Sequence, residues 1–304
     1  MPPRIKLPLG LIDEPFRVSR ASELGLTKSR LGGIDLAKPY RGLRTVGPAP
    51  ATVIGLSRVY VTRMPPTHVF SHATAALVHG IPLPYRLEIN RRLHVTVPAG
   101  NRPPQMLGII GHQLRERLMD VELVEGLPVT SPLQTWIDLG PLLNRGELVA
   151  AADFLCAGRE PRYTPQDLRN ATARLQGRRG SRALREAASL TRAGVDSPKE
   201  TEARLLIIDA GLPEPVVNYE VTDAAGGFVA RVDLSWPGFR VCIEYEGDGH
   251  RTDRKRFRAD ITRRERIEDQ RWRVIRITDD DLKAGGRELL RRVRAALKAC
   301  GRRD

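Results

Sequence analysis

Residues 229–246 run Val-Ala-Arg-Val-Asp-Leu-Ser-Trp-Pro-Gly-Phe-Arg-Val-Cys-Ile-Glu-Tyr-Glu. Two alternating segments, 229–235 and 240–246, flank Trp236–Phe239, whose Pro and Gly suit the central positions of a type II turn. An antiparallel hairpin follows, and a two-residue turn sets Asp233 opposite Cys242 and Arg231 opposite Glu244. Side chains of period two then gather Asp233, Glu244 and Glu246 on one face. Val232, Leu234, Val241, Ile243 and Tyr245 fill the other, so packing accounts for the apolar face and leaves the acids unexplained. Carboxylates on adjoining strands repel one another unless a cation joins them. Hard oxygen ligands suit Mg²⁺ or Mn²⁺, which keeps waters and meets phosphate on its open side. That outlines a phosphodiester-cleaving site; ion pairs to Arg231, Arg240 and Arg251 on a solvated face would account for the same acids.

Upstream, Ser197-Pro198-Lys199-Glu200 reads as a capping box with Ser197 at N-cap and Glu200 at N3, and Ala203, Leu206 and Ile207 continue a helical stripe to Gly211. Downstream, Gly247-Asp248-Gly249-His250 is a turn able to carry an imidazole to a metal. Between Arg251 and Arg276 stand eleven Arg or Lys against five acids, with Asp260 and Arg264 on one helical face. Trp272–Ile277 reads as a third strand, and a closing helix starts near Asp281.

The rest of the chain is read in three segments. In residues 16–63, Ser19–Leu24 and Thr27–Leu31 are short helices with hydroxyl caps and Gly25 at the bend, and Pro39–Arg44 runs into Thr45-Val46 as a wing would. A winged helix-turn-helix or a plain basic hairpin fits this pattern. Residues 64–140 form a small α/β unit: Ser71 caps a helix over His72–Val78, Leu93–Val97 is a strand closed by Pro98, and Ser131-Pro132 opens a helix through Leu139. His68, His72, His79, His94 and His112 lack two-ligand helical spacing with an acidic third ligand, so they are assigned structural roles. Residues 141–195 are helical and basic, with nine Arg against Glu160, Asp167 and Glu186 from Arg159 to Arg192. Either a solvated face or a phosphate-tracking surface explains them.

Composition narrows the partner. The 304 residues carry 50 Lys plus Arg against 36 Asp plus Glu, a formal charge of +14 and a sequence pI near 10.4, which points to a polyanion. Forty-three of the cations are Arg, whose planar fork suits phosphate. Cys156, Cys242 and Cys300 show neither CxxC spacing nor a disulfide framework, as in a reducing cytosol. The longest uncharged run, Met64–Tyr85, holds three histidines and four prolines and cannot span a bilayer. Asp13 and Glu14 argue against a secretory or transit segment. A cytoplasmic protein with no membrane partner is expected.

The order of a helix, Asp233 on one strand, Glu244-Tyr245-Glu246 on the next, Gly247 and His250, Arg258-Ala259-Asp260, then Arg271-Trp272-Arg273-Val274-Ile275-Arg276 resembles the very-short-patch-repair (Vsr) endonuclease group. That group belongs to the PD-(D/E)xK, or restriction-endonuclease-like, superfamily. The match covers about residues 196–284 and is similar above all to a family of uncharacterised bacterial proteins. It implies Asp233 and Glu244 as metal ligands, the Tyr245 carbonyl as a third, and Glu200 as an outer acid, with pure capping as the rival role for Glu200. Glu246 stands where the superfamily has its lysine. A carboxylate cannot supply that lysine's positive charge, so Glu246 is expected to hold a second metal or orient the water, and His250 or Lys255 to assist proton transfer or bind phosphate. Phe16–Val46, Val69–Ala76 and Val129–Pro132 resemble parts of the abortive-infection (AbiEi) type IV antitoxins, which join a winged helix to a small second domain.

The expectation is an α+β multidomain chain: a winged-helix DNA-binding domain (1–63), a small α/β antitoxin-like domain (64–140), a basic helical linker (141–195) and a restriction-endonuclease-like α/β/α domain (196–304). Its function is Mg²⁺- or Mn²⁺-dependent hydrolysis of DNA, in repair or defence. Arg41, Arg44, Arg251, Arg254, Lys255, Arg258, Arg263 and Arg264 are the expected DNA contacts. The alternative is a DNA-binding regulator of antitoxin type with a catalytically silent nuclease-like domain. DNA substrate, oligomeric state and any toxin or repair partner are left open.

Overall fold

The computed structural model describes residues 6–115, 119–175, 177–246 and 254–301, with backbone alone for 254–261. Among the described residues the chain is mixed α+β, with twelve α-helices and three sheets, and it divides into two units, 1–142 and 143–304.

The first unit begins with β1 (Phe16–Arg17), α1 (Val18–Glu23), α2 (Lys28–Leu31), β2 (Leu36–Ala37) and β3 (Leu43–Val46). These strands form an antiparallel sheet in the order β1-β3-β2. Gly25, between the helices, takes φ 82°, the left-handed region that glycine enters at no steric cost. Thr27 caps α2 by accepting from Arg30 N at 3.3 Å. Ser19 does not cap α1: the helix starts one residue earlier, at Val18, behind Arg17, which makes no side-chain cap bond. Leu11, Phe16, Ala21, Leu26, Leu31 and Leu36 close a small core here.

The unit continues with α3 (Val53–Val61), β4 (Val69–Phe70), α4 (His72–His79), α5 (Tyr85–Glu88), β5 (Leu93–Pro98), β6 (Ile109–Leu114), β7 (Val121–Val124), β8 (Leu127–Thr130) and α6 (Pro132–Leu139). A five-stranded mixed sheet runs β6-β5-β4-β8-β7. Its core joins Phe70, Val95 and Val129 to Leu56 and Tyr60 of α3 and to Tyr40 and Leu43, so the amino-terminal segment shares a core with the sheet. Ser131 caps α6, accepting from Gln134 N at 3.2 Å. Ser71 occupies the N-cap of α4 without a cap bond; its hydroxyl engages His72 Nδ1 instead, at 2.9 Å.

The second unit opens with α7 (Arg145–Leu155), α8 (Pro165–Ala173) and α9 (Ser181–Leu190). It continues with α10 (Pro198–Asp209), β9 (Val216–Thr222), β10 (Phe228–Trp236), β11 (Val241–Tyr245), α11 (Arg254–Asp269), β12 (Arg273–Ile277) and α12 (Asp279–Cys300). β9, β10 and β11 form an antiparallel meander, and α11 carries the chain across to β12, which pairs parallel with β11. Alternate residues face opposite layers. Val241, Ile243, Ile275 and Ile277 pack with Ala203 and Ile207 of α10 and Leu289 and Val293 of α12, whereas Cys242 packs with Ile267 of α11 and Trp272. Val232 departs from the expected apolar face and joins this second cluster.

The hairpin closes differently from the expected two-residue turn. Pro237–Phe239 coil as a 3-10 turn ended by Arg240 at φ 51°, ψ 43°, so four residues connect the strands. Trp236 pairs with Val241 and Leu234 with Ile243. Cys242 therefore lies opposite Ser235, not opposite Asp233. Arg231 correspondingly lies beside Glu220 of β9 and no longer opposite Glu244. A slip of an even number of residues would leave every side chain on its face, but Val232 and Leu234 pack in different clusters, so the alternation breaks beside Asp233.

Candidate active site

The meander brings Asp233 and Glu244 together. Asp233 is partly buried, and its Oδ2 accepts from the Tyr245 backbone N–H at 2.8 Å. Burial pushes its carboxyl up, against the pull of that bond and of the Arg263 and Arg231 charges. Glu244 forms an ion pair with Arg263 Nη1 of α11 at 2.8 Å. Glu246, just beyond β11, pairs with Arg276 of β12, and its N–H donates to Ile277 O at 2.8 Å. The acids therefore do meet arginines, but Arg263 and Arg276 in place of those expected. Arg231 pairs with Asp196, and Arg240 Nη1 donates to Gln270 O at 3.4 Å.

Glu200 reaches the same neighbourhood from the first turn of α10. Ser197 Oγ accepts from Glu200 N at 3.2 Å, as a cap should. The reciprocal arm of the expected box is displaced by one residue, because Glu200 Oε2 accepts from Asp196 N at 3.2 Å. The same oxygen accepts from Asn218 Nδ2 of β9 at 3.2 Å. Glu200 is buried, 6% exposed, and its carboxyl is pushed up to about 7, first by burial and next by the Asp233 charge. Capping and membership of the carboxylate group thus coexist in one side chain. Asn218, at φ 47°, was invisible as a site residue because only pairing of β9 with β10 brings it to α10.

Tyr245 Oη donates to Asp279 Oδ1 at 2.9 Å, and Lys199 Nζ reaches the same oxygen at 2.9 Å. That links the end of β11 to the starts of α10 and α12. Of the expected DNA contacts, Arg264 pairs with Glu268 at 2.8 Å. Arg44 is partly committed inward, with Nε donating to Leu31 O at 2.7 Å and Nη1 to Leu43 O at 2.7 Å. Arg41 is exposed. His250, Arg251 and the Gly247–Gly249 turn lie outside the described residues, as do the side chains of Arg254, Lys255, Arg258 and Asp260. No described helix is long and apolar enough to cross a membrane.

The first unit holds a group that spacing along the chain did not reveal. His72 starts α4, His94 sits on β5 and His112 on β6, and a ligand nitrogen of each lies within 4.8 Å of the others. The chemistry assigned to none of them in isolation becomes available to the three together. β6 is the missing link: in its parallel register Thr96 lies beside His112 and His94 beside Ile110. His94 and His112 therefore share a face of neighbouring strands, a relation that exists only once β5 and β6 pair. Burial lowers both imidazoles, His94 to about 3.

No protein-family model matches the chain, and no solved structure matches it significantly. Two proteins of Mycobacterium tuberculosis are similar to it: Uncharacterized protein MT2308 of strain CDC 1551 / Oshkosh and Uncharacterized protein Rv2248 of strain ATCC 25618 / H37Rv. Each is 32% identical over 211 residues, which cover 69% of this chain and 74% of the relative. The chain belongs to one family with these mycobacterial proteins.

Proposed function

We propose that the second unit is a restriction-endonuclease-like, metal-dependent DNA endonuclease that hydrolyses phosphodiester bonds, and that a winged helix in the first unit contributes DNA binding in the cytoplasm. The observation that carries this reading is that Asp233 of β10 lies near enough to Glu200 of α10 for their charges to interact and shares Arg263 with Glu244 of β11. The order of helix, three-stranded meander, crossover helix and parallel strand supports it.

The donor set fits a hard divalent cation. Its donors are all oxygens, of carboxylates and of one backbone carbonyl, and burial followed by the Asp233 charge raises the Glu200 carboxyl to about 7. Asp233, Glu244 and the Tyr245 carbonyl would hold Mg²⁺ or Mn²⁺, with Glu200 outside them. Such an ion, when bound, supplies Lewis-acid activation of water and phosphate. The protein's part is positional. The Tyr245 N–H fixes one Asp233 oxygen, and Arg263 steadies Glu244 from α11. Glu246 replaces the superfamily's lysine, and Arg276 beside it returns a positive charge to that edge. Glu246 and His250 position water or move its proton, and the arginines of α11 track the backbone.

The test is cleavage of supercoiled plasmid and of a mismatched duplex with Mg²⁺, Mn²⁺ or EDTA. Asp233→Asn is expected to abolish cutting, a loss of at least about 100-fold, with DNA affinity nearly unchanged. Undiminished cutting by a clean preparation of the variant would sink the assignment.

A second reading rests on the ion pairs Glu244–Arg263 and Glu246–Arg276, which satisfy two of the acids internally. In it the protein is a DNA-binding regulator of antitoxin type whose nuclease-like unit is silent. Metal-independent, sequence-specific binding without cutting, lost on deletion of residues 1–63, would favour it over the endonuclease.

A further inference from the structure

We propose that His72, His94 and His112 form a second metal site, in the first unit, for a late first-row divalent cation such as Zn²⁺ or Co²⁺. Three imidazoles converge there from α4, β5 and β6, with one ligand nitrogen of each within 4.8 Å of the others. Tetrahedral coordination at about 2.0–2.1 Å per Zn–N bond needs nitrogens about 3.3 Å apart, so closure asks the rings to move by no more than about 1.5 Å. His94 Nδ1 and His112 Nε2 are already 2.9 Å apart. All three rings stack, His72 on His112 at 3.7 Å between centroids, so closure on a cation also turns their planes apart until the in-plane lone pairs meet.

The supporting shell is built as well. Thr96 Oγ1 donates to Ser71 Oγ at 2.7 Å, and Ser71 Oγ lies 2.9 Å from His72 Nδ1. Ser71 and Thr96 are buried. A proton on His72 Nδ1 shared with Ser71 leaves Nε2 as the lone-pair nitrogen, the way supporting partners ordinarily fix a ligating imidazole. Thr74 Oγ1 accepts from His94 N at 2.8 Å and pins β5 to α4. This explains why Ser71 forgoes its helix-capping bond.

The ligand set selects the cation. Three neutral imidazoles without a carboxylate suit Zn²⁺, Co²⁺ or Ni²⁺ and suit Mg²⁺ poorly. Three protein ligands leave the fourth position to water or an anion, and His72 and His112, only partly buried, give access to it.

The experiment is titration of the metal-stripped full chain with Co²⁺ alone, followed by visible d–d absorption, and with Zn²⁺ in competition with a chromophoric chelator. A single tetrahedral Co²⁺ per chain is expected. His112→Ala and His72→Ala, each checked for native circular dichroism, should weaken it more than about 100-fold, beyond the loss of a supporting hydrogen bond. Asp233→Asn should leave it unchanged, which separates this site from the carboxylates. Absence of stoichiometric binding by the wild type, or unaltered binding by folded His112→Ala and His72→Ala, would overturn the proposal; equal loss in Asp233→Asn would also overturn it.

Discussion

Glu200 carries opposing demands. Its carboxylate accepts from Asp196 N and Asn218 Nδ2, yet burial and the Asp233 charge raise it from the ordinary 4.5 to about 7. The folded state therefore keeps a proton between pH 4.5 and about 7 that the unfolded chain has lost. Stability on this account declines as pH rises through that window, and the full deficit is present above about 7. Glu200→Gln removes the titration. The variant is expected to be more stable than the wild type above pH 7, by on the order of 1–3 kcal/mol, with a flatter dependence between pH 4.5 and 7. Thermal unfolding across pH checks both; a variant less stable than the wild type at pH 8 would count against the coupling of Glu200 to Asp233. Mg²⁺ or Mn²⁺ should raise the wild-type midpoint by mass action and raise that of Asp233→Asn less.

Helix α10 is anchored before it reaches the site. Asp153 of α7 and Arg204 of α10 form an ion pair with Nη2···Oδ2 at 2.7 Å and side chains 1% and 0% exposed. The same Asp153 carboxylate accepts from Thr201 Oγ1 and Arg192 N, both at 2.8 Å. Removing one partner of such a pair strands a buried charge, which costs about 3–5 kcal/mol. Asp153→Ala is expected to destabilise the second unit by that amount in chemical denaturation. A fragment beginning at Asp196 should suffer in the same way, because Arg204 loses its nearer carboxylate and keeps only Glu214, at 3.5 Å. A loss below about 1 kcal/mol would show that Glu214, 3.5 Å from Arg204 Nη1, suffices to neutralise it. The helices of 145–190 thus act as a brace for the element that carries Glu200.

Across the chain, 50 cations against 36 anions set up long-range attraction to polyanions. Four phosphate contacts suffice to weaken duplex binding about 100-fold between ~50 and ~200 mM salt. A loss of that size or larger is expected in filter binding or anisotropy, and near-constant affinity would rule out backbone tracking by the arginines. The chain divides into two units, 1–142 and 143–304, each with its own core, and the two proposed metal sites fall in different units. Hard carboxylate oxygens lie in one and imidazoles in the other.

Local pattern carried much of this protein. Alternation in 229–246, the Ser197-Pro198 start of α10, the Ser131-Pro132 start of α6 and the strand at Leu93–Pro98 were legible because helix periodicity, caps and strand alternation are nearest-neighbour properties of the chain. The pairing of Ser235 with Cys242 was not legible, since Arg240 takes a left-handed conformation and closes a four-residue loop. The Glu244–Arg263 and Asp153–Arg204 pairs and the His72, His94, His112 group each join residues between 18 and 51 positions apart in the nearest relevant pairs. Sequence spacing encodes nothing about such meetings. Strand order, parallel register and helix packing create them, because only the folded chain brings distant side chains within bonding distance.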